Sequence, residues 1–201
     1  MTVVGEGARQ GQGAVRQEPE ALARDASDGH FMGLALEEAR LAALEGEVPI
    51  GAVVVCGGEV VARAHNRRET DRDPSAHAEF SAMREASRVL GRWRLTGCTV
   101  YVTLEPCLMC AGLMVNARID RCVFGAADPK GGALGTLFDV SADERLNHAF
   151  EVSAGVRAEE AADLLRSFFR ERRARRKAPA VATDATDAVT PRHRRPDDVT
   201  T

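Results

Sequence analysis

Apolar positions in this chain fall into short runs whose spacing switches repeatedly between that of a helix and that of a strand. Phe31, Leu34, Leu41 and Leu44 recur at helical spacing, with Ser27 or Asp28 as the cap and Gly46 as the stop. Residues 50–56 are a continuous apolar run, Gly57-Gly58 is a two-residue turn, and residues 60–65 follow, which predicts a β-hairpin. A polar loop with Asp73-Pro74 leads into a helix over 76–90. Residues 99–104 read as a buried strand, followed by a helix through Cys107, Cys110, Leu113 and Met114. A short strand over 121–124, a Gly-rich loop over 128–135, a last strand within 150–156 and a last helix over 159–177 complete the pattern. Strands alternating with helices predict an α/β fold, a three-layer α/β/α domain with a mixed central sheet.

Residues 1–26 and 178–201 lack a sustained apolar period and are expected to be disordered tails around one domain at 27–177. With 44% apolar side chains, 201 residues suffice for a real core. The formal net charge of −3 offers no general attraction to nucleic acid or to an anionic membrane, so any RNA-binding surface must come from local asymmetry. That asymmetry lies at 166–177, where Arg166, Arg170, Arg172, Arg173, Arg175, Arg176 and Lys177 face a single acid, Glu171. Leu164, Leu165, Phe168 and Phe169 would dock this helix, leaving its arginines for solvent or for phosphate. Five cysteines, an odd number, with no apolar leader before them, suggest a reduced cytoplasm. No apolar run approaches the roughly 20 residues that cross a bilayer.

Two segments carry chemistry. His77-Ala78-Glu79 and Pro106-Cys107-Leu108-Met109-Cys110 supply one imidazole, two thiols and a carboxylate on either side of a strand. His77, Cys107 and Cys110 suit a tetrahedral Zn²⁺ and leave its fourth position for water, the mark of a catalytic site. Mid-helix, His77 and Glu79 would diverge by roughly 200°, so His77 must sit at the cap or first turn, which Asp73-Pro74 favours. Glu79 is then left to move protons, and enclosure would raise its pKa to suit that task. Each segment alone has a plainer reading: His77 and Glu79 as a surface pair, the two cysteines as a redox dithiol. Together and in this order they match zinc enzymes that hydrolyse the exocyclic amine of a nucleobase. Cys56, Cys98 and Cys122 lie in or beside apolar runs and read as core thiols. His30, His65 and His148 read as ordinary polar residues, with His65 the nearest to the site because Asn66 follows it at a strand end.

Longer stretches are similar to one family. Residues 47–53, 73–79, 101–112 and 123–130, together with Phe168-Phe169-Arg170, closely resemble the bacterial tRNA-specific adenosine deaminases, within the cytidine-deaminase-like superfamily. The resemblance spans roughly residues 28–177 and implies one zinc per subunit on His77, Cys107 and Cys110, with Glu79 as proton shuttle. It further implies that Asn66 hydrogen-bonds the purine and that the Ala78 backbone faces the reacting position. The implied substrate is the wobble adenosine of an arginine tRNA anticodon stem-loop, converted to inosine by a homodimer. Two rivals remain: a deaminase of free bases or nucleosides, and a zinc-stabilised RNA-binding subunit without activity. The second has no use for Glu79.

Overall fold

A computed structural model describes residues 17–177 of the chain; residues 1–16 of the expected tail at 1–26, and the expected tail at 178–201, lie outside them, while residues 17–26 are helical. Ten elements follow in order: α1 (Gln17–Leu44), β1 (Gly51–Cys56), β2 (Glu59–His65), α2 (Arg68–Asp71), α3 (Ala78–Val89), β3 (Cys98–Leu104), α4 (Leu108–Ala117), β4 (Arg121–Ala126), β5 (Glu151–Ser153) and α5 (Ala158–Lys177). The sheet runs β2-β1-β3-β4-β5. β1 is antiparallel to both β2 and β3, while β3, β4 and β5 are parallel. The mixed sheet of the sequence reading is therefore present. Gly57 and Gly58 both have positive φ, the backbone that a two-residue hairpin turn requires.

Alternating side chains of the sheet divide the core in two. Met32 and Leu36 of α1 and Ala161 of α5 pack with Val53, Val55, Tyr101 and Val123 on one face. Ala82 and Met83 of α3 and Met114 of α4 pack with Val54, Val100, Val102 and Cys122 on the other. Helices cover both faces, giving the three layers.

The first helix departs from its expected form. It begins at Gln17 and passes through Ser27 and Asp28 without a cap, since Asp28 is drawn into a buried ion pair with Arg121. Its buried face is Met32, Ala35, Leu36, Ala39 and Ala42, whereas Leu41 and Leu44 are exposed. Close packing explains the choice. A Cβ on Gly51 would overlap the Ala35 carbonyl and the Ala39 nitrogen, so helix and strand meet through alanines and a glycine.

Topology delivers the ends of several strands to one edge. Gly51 opens β1 opposite His65, the last residue of β2, and Ala52 lies opposite Val102 near the end of β3. Residues that leave β2 and β3 thus emerge side by side. This is the edge at which the carboxyl ends of parallel strands leave a crevice for ligands.

Candidate active site

The Asn66–His77 connection is folded back on itself: the Asn66 N–H donates to the Ile50 carbonyl and the Arg67 N–H to that of Ala76. Buried Glu47 accepts the Thr70 N–H at 2.7 Å and thereby holds α2 down. The connection ends at His77, which is extended (φ −79°, ψ 151°) and precedes the first turn of α3. This is the placement that the spacing of His77 and Glu79 requires. No side chain of the helix itself caps α3; Asn66 Oδ1 instead accepts the Ala78 N–H at 3.0 Å. The Ala78 amide is thus engaged within the protein.

Cys107 plays the corresponding part at α4, extended at φ −75°, ψ 171°, with Cys110 buried in the first turn behind it. His77 Nδ1 lies 3.7 Å from Cys107 Sγ and 3.6 Å from Cys110 Sγ. Ligands at Zn–S of about 2.3 Å and Zn–N of about 2.0 Å in tetrahedral array stand roughly 3.5 Å apart, so this trio fits such an ion with little movement. All three ligand atoms lie within 4.8 Å of one another, and no other His, Cys, Asp or Glu group among the described residues converges so closely.

Electrostatics of the trio point the same way. Hydrogen bonds from Cys110 and from His77 pull the Cys107 thiol down to about 3, against the opposing effect of burial. Its partner moves oppositely: Cys110, beside that thiolate and near Glu79, is pushed up. The contact with Cys107 raises His77 despite burial, and Glu79 adds to the effect. These groups share protons that a divalent cation would displace. Glu79, 4% exposed, lies on the buried face of α3 with Ala78, Ala82, Met83 and Ala86, and desolvation raises its pKa. His77 and Cys107 are half-buried, so the site is closed behind Cys110 and Glu79 and reachable from the His77 side.

These contents belong to a known group of enzymes. The MafB19-like deaminase family matches residues 26–173. A tRNA-specific adenosine deaminase of Bacillus subtilis (strain 168) is 54% identical over 151 residues, 75% of this chain and 94% of that protein.

The chain belongs to the tRNA-specific adenosine deaminases.

A solved structure from a study of A-to-I editing by tRNA:A34 deaminases superposes on the deaminase with a TM-score of 0.66 at 48% identity, covering 68% of this chain and 99% of that one. For a guanine deaminase from Nitrosomonas europaea the TM-score is 0.58 and the identity 26%, over 70% of this chain and 83% of that one. The fold is the cytidine-deaminase-like fold that the resemblance implied.

The remaining candidates find plain positions. Cys98 and Cys122 are buried, and Cys56 is half-buried. His65 is held by Glu38 at 2.8 Å and faces Glu45 at 3.5 Å, away from the trio in its bonding. His148 bonds the Ile119 carbonyl at 2.7 Å, and His30 packs edge-on against Phe31. Lys130 joins Leu165, Arg166, Phe169, Arg170 and Arg173 around a groove of about 540 Å³, bringing the Gly-rich loop to the basic helix. Sequence reasoning overlooked Glu105, which is 2% exposed two residues before Cys107. An acid closing an apolar strand ahead of a Gly-rich loop full of amides was the available signal.

Proposed function

We propose that this deaminase is a zinc-dependent enzyme converting adenosine to inosine at the wobble position of a tRNA anticodon loop, that of an arginine tRNA first, with release of ammonia. The observation that carries the reading is the convergence of His77, Cys107 and Cys110 beside buried Glu79, in a chain 54% identical to a tRNA-specific adenosine deaminase. His77, Cys107 and Cys110 would hold one zinc per subunit. When bound there, zinc lets a water give up a proton near neutral pH. Glu79 takes that proton and gives it to the ring nitrogen, then carries the remaining hydroxyl proton to the departing amine, so the base gains a carbonyl oxygen and loses ammonia. Raised by burial, Glu79 suits both directions of transfer.

Asn66, fixed by the Ala78 amide, places its side-chain amide for the purine, and Ala78 forms the wall beside the reacting atom. An anticodon loop suits such a recessed site because its bases are already unstacked and turn out at little cost. The reading includes a homodimer. Phe80, Met83, Trp93 and Leu113 line an apolar groove of about 600 Å³ between α3 and α4, and a second copy would cover it. Among the described residues no helix is long and apolar enough to cross a membrane. The reading includes a cytoplasmic location, where an enzyme acting on tRNA would meet its substrate.

The test is parallel incubation with an anticodon stem-loop, free adenosine, cytidine and guanine, following ammonia and inosine. Inosine from the stem-loop alone is expected. Turnover of guanine or cytidine with an untouched stem-loop would overturn the reading.

A further inference from the structure

We propose that Glu105 is a positioning residue, whose carboxylate fixes residues 128–136, and with them Lys130, in register with the turn that carries Cys107. The proposal rests on the RNA-deaminase reading above.

Glu105 ends the apolar run of β3 and is withdrawn from water, so its carboxylate needs donors on both oxygens. One segment supplies all the hydrogen bonds found. Oε1 accepts the Leu134 and Thr136 N–H groups at 3.1 Å each; Oε2 accepts the Asp128 N–H at 3.0 Å and the Thr136 hydroxyl. Among the described residues no cation pairs with Glu105, and its charge is met by backbone dipoles and one hydroxyl. Gly132 completes the cradle, because a Cβ there would collide with the carboxylate itself.

The same segment is bound to the metal-binding turn. The Ala133 N–H donates to the Pro106 carbonyl at 2.9 Å, and Gly132 is an antiparallel bridge partner of Cys107. On its other side the segment presents Lys130, whose N–H is held by the Asp128 carboxylate at 2.9 Å, to the groove shared with Arg170 and Arg173. Glu105 therefore couples two distances that a bound RNA must satisfy together: base to metal site and phosphate to cation. Held before substrate arrives, the segment loses no further freedom on binding.

Glu105→Gln tests this with almost no change of shape. Whichever way the amide turns, its NH₂ meets N–H or O–H donors, so part of the cradle must open. Zinc content and the thiolate absorption of the cobalt-substituted enzyme are expected to stay as in wild type, while the Asp128, Leu134 and Thr136 amides exchange faster. The KM for the stem-loop should rise about tenfold with kcat changed by less than about threefold. Thr136→Val, which deletes a single donor, should move KM and exchange in the same direction by a smaller factor. Should Glu105→Gln fail to fold, Thr136→Val decides alone. Wild-type KM and exchange in the folded variants would overturn the proposal, as would loss of zinc with an unchanged loop. Wild-type enzyme inert on the stem-loop would instead overturn the RNA reading, and the exchange data would still decide whether Glu105 fixes the segment.

Discussion

Glu79 has to accept a proton and pass it on, and its surroundings on the buried face of α3 favour a carboxyl that does both. Glu79→Gln should bind zinc in near-stoichiometric amount while deamination falls by roughly 10² to 10⁴ or more, because a placed acid/base contributes about that factor. Substantial residual turnover would remove Glu79 from the reaction. Cys110→Ala is expected to lose zinc and thermal stability together, since ligand binding and folding of the site are coupled; normal metal content and an unchanged Tm would sink the ligand assignment. Asn66→Ala carries two consequences. It should slow turnover of the stem-loop, and it leaves the buried Ala78 N–H without its acceptor, a loss of about 1–3 kcal/mol that urea unfolding would register. Asn66→Asp retains an acceptor for that amide and should recover most of the stability without the turnover. The metal trio and Glu79 were legible because the chemistry dictates residue type and spacing. The second task of Asn66 and the cradle of Glu105 were not, for their partners stand 12 and 23 to 31 positions away.

Elements were legible where apolar periodicity alone decides them. β1 to β4 and α3 to α5 lie close to the expected ranges. α1 was harder, because alanine carries little pattern: Ala35, Ala39 and Ala42 are buried by close approach to Gly51, while the conspicuous Leu41 and Leu44 face solvent. α2, a single turn, has no buried residue, and its anchor is a carboxylate from a different segment. The end of α5 is where pattern left two readings, solvated face or phosphate grip. Local acids already engage some of its charge: Arg166 pairs with Glu159 and Asp163, and Arg172 faces Glu69 at 3.9 Å. Arg170 and Arg173 have no such ion pair among the described residues, and both border the groove with Lys130. Replacing Arg170 and Arg173 with Gln should therefore flatten the salt dependence of stem-loop binding, each lost contact lowering the log–log slope by about 0.7 on single-stranded RNA. An unchanged slope in a folded, zinc-loaded variant would return the helix to the solvated face.

The first helix is tied to the sheet by a buried polar link on the face away from α3 and α4. Arg121 of β4 donates from Nη1 to Asp28 Oδ1 at 2.8 Å and from Nη2 to Oδ2 at 2.6 Å, and again from Nη2 to Ser153 of β5 at 2.6 Å. The Tyr101 hydroxyl of β3 adds a bond to Asp28 at 2.8 Å, so two strands converge on one carboxylate of α1, and β5 joins them through Arg121. Burial by itself would push the Asp28 carboxyl up, but the Arg121 guanidinium and the Tyr101 hydroxyl outweigh it and hold it below the usual carboxylate range. A depressed folded pKa means that the stabilisation is fully present above the unfolded value of 3.8 and fades as pH falls through the folded one. Asp28→Asn leaves the buried Arg121 guanidinium only the half-exposed Glu151 carboxylate, 3.4 Å from its Nε, and should cost up to about 3–5 kcal/mol at neutral pH. Urea unfolding of wild type and variant from pH 7 downward should show the gap narrowing only at pH values below the ordinary aspartate range, because the wild-type carboxyl then takes up a proton and loses the same charge. A gap that stayed constant into strong acid would mean that packing rather than the ion pair sets the contribution of Asp28. Replacing Asp28 and Arg121 together with apolar residues of similar volume separates the two, since a buried pair exchanged as a unit is often neutral or even stabilising where breaking it is not.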